Sequence, residues 1–351
     1  MEGAPRCGAV RKLLMQIGMG VAPKELTVGR FAPALPVAER GPVLSAAMAG
    51  LWAFLFVTLL MTIRPLEEWD DVYLLVLRYS IDPYFGMAVP QDALEYALAE
   101  YSWQLLVRFI FNTGMEFDTT FAWLSMAAVA CTSFVLLRRA RSPIVLLIFA
   151  NPALMDFFIS QVRSALAFSI MLLLIFRSLP VAVAGIVLAA TFHTSMMLMV
   201  IPLAIEHARR RFASSAESAH GHFWPAVAAG FALVLVSFQG LILDFLGDRR
   251  AIYSFVDFGT GTMFTVGWMM VAAAFYLTTR SRSSLSGVTA TFNIAMFLFS
   301  SIAELYAHRY IPFFLLFIAI SLGGTETSSM RRAQFFAVFA AFSAVYFFFW
   351  L

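Results

Sequence analysis

Charged residues are scarce here: they make up 13% of 351 residues, against 61% hydrophobic. An ordinary soluble domain carries about 25% charged and 45–50% apolar residues. The balance excludes a soluble globular enzyme, a disordered chain, a coiled coil and a nucleic-acid binder. Lysine is nearly missing, with Lys12 and Lys24 the only two. Cysteine is limited to Cys7 and Cys131, one in the tail and one in an apolar run, which leaves no disulfide framework and no zinc spacing. No Walker A loop, GxGxxG, HExxH or GxSxG run occurs, so nothing supports ATP hydrolysis or nucleotide binding. No clear inverted repeat is visible, which weakens a transporter reading.

What is present is apolar length. At roughly 20 residues per span, the apolar content suffices for about ten spans. The runs are Leu44–Ile63, Thr119–Leu137, Pro143–Ser160, Val162–Phe176, Val181–Ile205, Phe223–Leu243, Met263–Thr278, Leu285–Ala303, Tyr310–Leu322 and Ala333–Leu351. Without alternating polarity a closed barrel is excluded, so the expectation is an all-α polytopic transmembrane bundle. Residues 1–43 form a basic cytoplasmic tail, expected to be flexible, and 44–351 the transmembrane domain. The tail is no clean signal peptide, because its apolar patch Leu13–Met19 is short and broken by glycine.

Arginine placement sets the orientation. Arg6, Arg11, Lys12, Lys24, Arg30 and Arg40 hold the N-terminus in the cytoplasm. The segment 64–118 is then external and acidic, and Arg138, Arg139 and Arg141 return inside. A single crossing by Val181–Ile205 would place Arg209–Arg211 and every later arginine pair outside. If that run goes in and comes back, as a re-entrant or broken helix pair turning near His193, the arginines fall inside. The alternative is one long tilted span that obeys the charge rule weakly. Ala93–Phe111 is expected to be an amphipathic helix on the membrane surface, with Leu94, Leu98, Tyr101, Leu105 and Phe109 at helical spacing.

Ionisable groups within spans are costly and therefore candidates for function. Arg163, with Gln161 beside it, interrupts the apolar flow between two runs. It is either an arginine snorkelling to the head groups or a clamp for a lipid-linked diphosphate. His193 lies inside an almost wholly apolar run, as an interhelical hydrogen-bonding group or as a general base or diphosphate ligand. Glu304 and His308 are four apart, at the spacing of one helix face, with Arg309 next. They form a structural ion pair, or a carboxylate base with a second diphosphate clamp. Trp69, Asp70 and Asp82 combine aromatic and acidic groups in the external segment. They suit sugar binding, and equally a solvated loop.

Three patches resemble the EpsG-like branch of the Wzy-type polysaccharide polymerases. They are Glu100-Tyr101-Ser102-Trp103-Gln104-Leu105-Leu106, Ser160-Gln161-Val162-Arg163-Ser164-Ala165-Leu166-Ala167 and Phe192-His193-Thr194-Ser195, with Arg309-Tyr310 as a weaker fourth. Their order fits the family over roughly residues 50–320. Ser102 stands where the family commonly has glycine, and Ile81-Asp82-Pro83-Tyr84 spells its aspartate-tyrosine segment loosely.

The resemblance implies a bacterial inner-membrane enzyme, with a GT-C-like glycosyltransferase architecture as one form. It would transfer a glycan from undecaprenyl diphosphate to a sugar hydroxyl of another lipid-linked repeat on the external face. It would use no cofactor and no metal, and a chain-length regulator protein is an expected partner. His193 or Glu304 would be the base, and Arg163, Gln161, Arg309 and His308 would hold the diphosphate. Trp69, Asp70, Asp82, Glu100 and Trp103 would bind sugar. A glycan ligase using the same donor and a non-enzymatic flippase or transporter are the alternatives.

Overall fold

A computed structural model describes residues 42–64, 96, 99–140, 142–212, 222–239, 241, 261–279, 282–305, 307–323 and 327–350. All belong to the compact unit Arg40–Leu351. The basic tail, most of the acidic segment with Trp69, Asp70 and Asp82, and the start of the expected surface helix lie outside the described residues.

Among the described residues the chain is all-helical. Its α-helices are α1 (Pro42–Ile63), α2 (Tyr101–Asn112), α3 (Phe117–Ala140), α4 (Pro152–Ile159), α5 (Val162–Ile175), α6 (Leu179–Phe192), α7 (Val200–Phe212), α8 (Phe223–Ser237), α9 (Thr262–Thr278), α10 (Leu285–Ile302), α11 (Ile311–Leu322) and α12 (Ser329–Trp350). Short 3-10 segments cover Pro143–Ala150, Thr194–Met199 and Ala307–Tyr310. Apolar runs become helices because a helix satisfies its own backbone without water.

Three helices are long and apolar enough to cross a membrane: Val43–Ile63, Thr119–Ala140 and Leu285–Ile302. A fourth crossing arises if α4 and α5, bent by 98° at their junction, count as one broken span. The α6, α8 and α9 helices and the stretch Ala307–Leu322 are apolar but shorter. The expected count of ten is therefore not reached by length and composition. On α1, Val43, Leu51, Phe54 and Leu59 are exposed apolar side chains, as on a lipid-facing helix. The α10 helix is buried nearly all round, and its polar side chains turn to its own carbonyls. Thr289 donates to Leu285 O, Thr291 to Gly287 O and Asn293 to Thr289 O.

Ring contacts fix helix directions. Phe313 stacks on Phe168 and meets Phe157 edge-on, whereas Phe317 reaches Phe168 and Phe176. The α11 helix therefore runs parallel to α5. At the far end Gly323 lies against Ala140, and Arg139 donates to Phe176 O. The C-termini of α3, α5 and α11 thus share one end of the bundle, with Arg138, Arg139 and Arg177. The N-termini of α5 and α11 share the other.

Gly323 has no room for a side chain, since a Cβ there would overlap the backbone of Ala140. Gly230, inside α8, has nothing within 4 Å. Gly323→Ala is expected to destabilise the protein in detergent by about 1–3 kcal/mol through overpacking. Gly230→Ala should stabilise it by about 0.5–1 kcal/mol. Thermal unfolding followed by tryptophan fluorescence checks both; equal midpoints for the two variants would refute the close approach.

Candidate functional site

The polar residues singled out in the sequence fall at helix breaks. The chain is broken at Gln161, between α4 and α5, and again at His193, between α6 and the 3-10 turn Thr194–Met199. His193 has an extended backbone, with φ −153° and ψ 112°, which ends α6. The second arm runs on through α7 to Phe212 rather than stopping at Ile205. At the start of α2, Glu100 has φ +53°. Because α5 and α6 pack together across a short connection, Arg163 at the start of one and His193 at the end of the other share an end of the bundle.

These breaks converge on one carboxylate. Glu100 Oε2 lies 2.6 Å from Arg163 Nη1. Its Oε1 lies 2.5 Å from His193 Nδ1 and accepts from the Thr194 backbone N–H at 3.2 Å and hydroxyl at 3.0 Å. The Glu100 and His193 side chains are 7% and 8% exposed, whereas Arg163 is 32% exposed. The carboxylate sits deep, and the guanidinium reaches from it toward the surface. Next along, Ser195 Oγ is buried with no hydrogen-bond partner among the described residues.

Energetically the arrangement is demanding. A buried carboxylate loses several kcal/mol of hydration, which only good geometry and further hydrogen bonds repay. A left-handed backbone at a non-glycine residue costs roughly 1–2 kcal/mol more. Four donors on Arg163, His193 and Thr194 meet the first cost, while the α2 amides of Trp103 and Gln104 bond the Glu100 carbonyl at 3.1 and 3.2 Å. A carboxylate accepting at Nδ1 holds the imidazole in the tautomer whose lone pair is on Nε2. The group can thus supply an oriented base and stabilise its protonated form.

Several expectations change. Glu100, expected to bind sugar, is the buried centre of the cluster. Trp103, expected beside it as a sugar contact, is 1% exposed and packs edge-on to Phe121 with ring centroids 6.0 Å apart. That is a core position. On the same helix Leu105 and Phe109 are exposed, while Val107 and Ile110 are buried.

Glu304 and His308 do not share a helix face. The α10 helix ends at Ile302, and Glu304 has φ +57° in the turn that closes it, with Leu305 N–H bonded to Ser300 O at 2.8 Å. His308 and Arg309 fall in the next 3-10 turn. All three precede α11, hence lie at the bundle end that carries Arg163; Glu304 and Arg309 are exposed and His308 is half-buried. Arg209 and Arg210, expected only to mark topology, bind the buried carboxylate of Glu206, at 2.7 and 2.9 Å and at 2.8 Å.

Two polar contributors escaped the sequence reading. Thr194 is one; its hydroxyl gave no signal beyond its place beside His193. Asp156 is the other, held by Gln161 Nε2 at 3.1 Å. Its signal was available, because it is the only acidic residue between Pro143 and Ile205. Among the described residues no group of three or more His, Cys, Asp or Glu side chains is placed to hold a metal ion. The chain matches no protein-family model, no curated protein and no solved structure. Among the described residues, fold and site together define an all-helical chain with membrane-compatible helices and a Glu–Arg–His cluster around a buried carboxylate. The family resemblance rests on the motifs alone.

Removing Glu100 leaves Arg163 and His193 without their shared partner. Glu100→Ala is expected to cost about 3–5 kcal/mol. Arg163→Ala should be similarly harmful, and the double variant clearly less harmful than the sum, with a coupling of about 0.5–3 kcal/mol. Chemical denaturation of the four proteins in one detergent measures this; strict additivity would show that the pair is not coupled.

Proposed function

We propose that this protein is a membrane polymerase of bacterial surface polysaccharide. It takes a glycan from undecaprenyl diphosphate and joins it to a sugar hydroxyl of a second lipid-linked unit. One observation carries the reading: the three sequence patches that resemble the polymerase family contribute Glu100, Arg163 and His193 to a single cluster. Burial, charge and a strained backbone meet there, and such costs persist at sites where chemistry needs them.

In this reading the acceptor hydroxyl oxygen attacks the anomeric carbon of the donor sugar. His193 Nε2 takes the hydroxyl proton as the new C–O bond forms. The bond from the anomeric carbon to the diphosphate oxygen breaks, and its electron pair leaves with undecaprenyl diphosphate. Glu100 then balances the imidazolium, in the manner of the carboxylate of a catalytic triad. It is thus a positioning residue rather than a sugar ligand. The exposed part of Arg163, with Arg309 and His308 at the same end, stabilises the leaving diphosphate. The reaction needs no metal and no nucleotide. Glu304 is the competing base, being exposed at that end.

The proposal includes the topology. The end bearing Arg138, Arg139 and Arg177 is cytoplasmic and the Arg163 end is external. The shorter apolar helices are further membrane crossings, up to about ten, and α6 with the following 3-10 turn and α7 goes in and returns at His193. The donor lipid and the surrounding bilayer are its partners, together with a chain-length regulator.

A deletion strain complemented with variants tests the reading. His193→Ala or Arg163→Ala is expected to leave single repeat units where the wild type makes long chains, with turnover down by about 10²–10⁴ for loss of the base. Unchanged chain lengths with either variant contradict the site. Long lipid-linked chains that are never transferred indicate a ligase, and repeat units trapped on the cytoplasmic face indicate a flippase.

Glu304→Gly separates the two bases. Glycine relieves the left-handed backbone and should stabilise the protein by roughly 1 kcal/mol. With His193 as base, the variant keeps polymerase activity. Loss of activity in this more stable protein would transfer the role of base to Glu304.

A further inference from the structure

We infer that Asp156 and Gln161, together with Tyr346, form a subsite for the neutral sugar of the lipid-linked substrate, beside the charged subsite of Arg163. The inference rests on the polymerase reading and names the part of the substrate that each side of the site takes.

The α4 helix has eight residues, about 12 Å at 1.5 Å per residue, far less than a crossing. It meets α5 at 98° and so lies across the end of the helix whose first turn carries Arg163. Gln161 is the elbow. Its backbone N–H donates to Asp156 O at 3.2 Å, its carbonyl accepts from Ala165 N–H at 2.9 Å, and its Nε2 donates to Asp156 Oδ2 at 3.1 Å. Carboxylate and carboxamide are therefore fixed relative to each other and to Arg163. Around them Leu154, Phe157, Phe158 and Ile159 are buried, whereas Asp156 and Gln161 are both partly exposed. The polar pair turns out of the core that its neighbours build.

A second element packs on α4. Asn151 Nδ2 donates to Ser343 Oγ at 2.9 Å, tying the start of α4 to α12. One turn further along α12 from Ser343 stands Tyr346. Its ring is edge-on to Phe264 and Trp268, with centroids 5.4 and 6.1 Å apart, and Trp268 Nε1 has no hydrogen-bond partner among the described residues.

A carboxylate, a carboxamide and a phenol on an aromatic edge are hydrogen-bonding groups suited to sugar hydroxyls. Charge assigns the ligand: a carboxylate repels diphosphate and accepts strongly from neutral hydroxyls. The cationic Arg163 takes the anion. The two halves of a glycan-diphosphate thus match two adjacent groups of opposite sign, and Asp156 becomes the residue that reads the sugar.

The test uses the full-length protein in nanodiscs and two probes, undecaprenyl diphosphate and undecaprenyl diphosphate bearing the cell's own oligosaccharide repeat. The wild type is expected to bind the sugar-bearing probe more tightly. Asp156→Asn and Gln161→Ala should each weaken that probe by about tenfold, the scale of one hydrogen bond to a charged group, while leaving undecaprenyl diphosphate alone unchanged. Tyr346→Phe, which keeps the packing, is the control should the elbow variants fail to fold, and is expected to show the same selective loss. Equal loss for both probes, no loss for either, or wild-type affinity indifferent to the sugar overturns the subsite while leaving the polymerase reading in place. A wild-type protein that binds neither probe overturns both.

Discussion

The site depends on satisfying one carboxylate held away from water. Glu100 is 7% exposed at its side chain and takes up Arg163, His193 and two groups of Thr194. Each partner comes from a helix end, and there the Thr194 backbone N–H is free of a helical partner and bonds the carboxylate instead. Two helix breaks and the start of α2 are thus tied together by one carboxylate. Half-helices meeting at a polar centre are how membrane proteins place irregular backbone where lipid does not reach it.

The same constraint orders the surroundings. Aromatic rings fill the space between α4, α5 and α11, where Phe168 and Phe313 stack and Phe157 meets both edge-on. They hold the N-terminal end of α5, and with it Arg163, against movement. Rigid packing of this kind lets a strained residue persist, since the strain has no cheap local relief. At the far end, close approach of Gly323 to Ala140 closes the bundle. Arg139 spans to Phe176, bonding its carbonyl and lying 4.6 Å from its ring centroid.

Much of the fold was legible because apolar runs and helices coincide in a chain with so little charge. Leu285–Ala303 was expected and Leu285–Ile302 is found; a turn near His193 was expected from the placement of the later arginines, and α6 ends at Phe192. What the sequence could not show is bending. Pro143–Ser160 reads as one run, yet Asn151 caps a new helix within it and that helix turns through 98° at Gln161. Composition is blind to direction. The candidate site was legible as residues and not as roles. Arg163 and His193 stand out by polarity alone, but Glu100 lies in a segment rich in acidic residues, where its burial has no signature. Glu304 and His308 have the spacing of a helix face, and only the left-handed turn at Glu304 separates them.

The central claim is that the Glu100–Arg163–His193 cluster elongates lipid-linked glycans, and reconstitution tests it most directly. Purified protein in liposomes with lipid-linked repeat units and no nucleotide sugar, sampled over time on a gel, should build a ladder of products. Each step would release undecaprenyl diphosphate, and His193→Ala should give no ladder while still binding the substrate. A ladder of wild-type length from His193→Ala, or no ladder from the wild type with the substrate bound, would contradict the account.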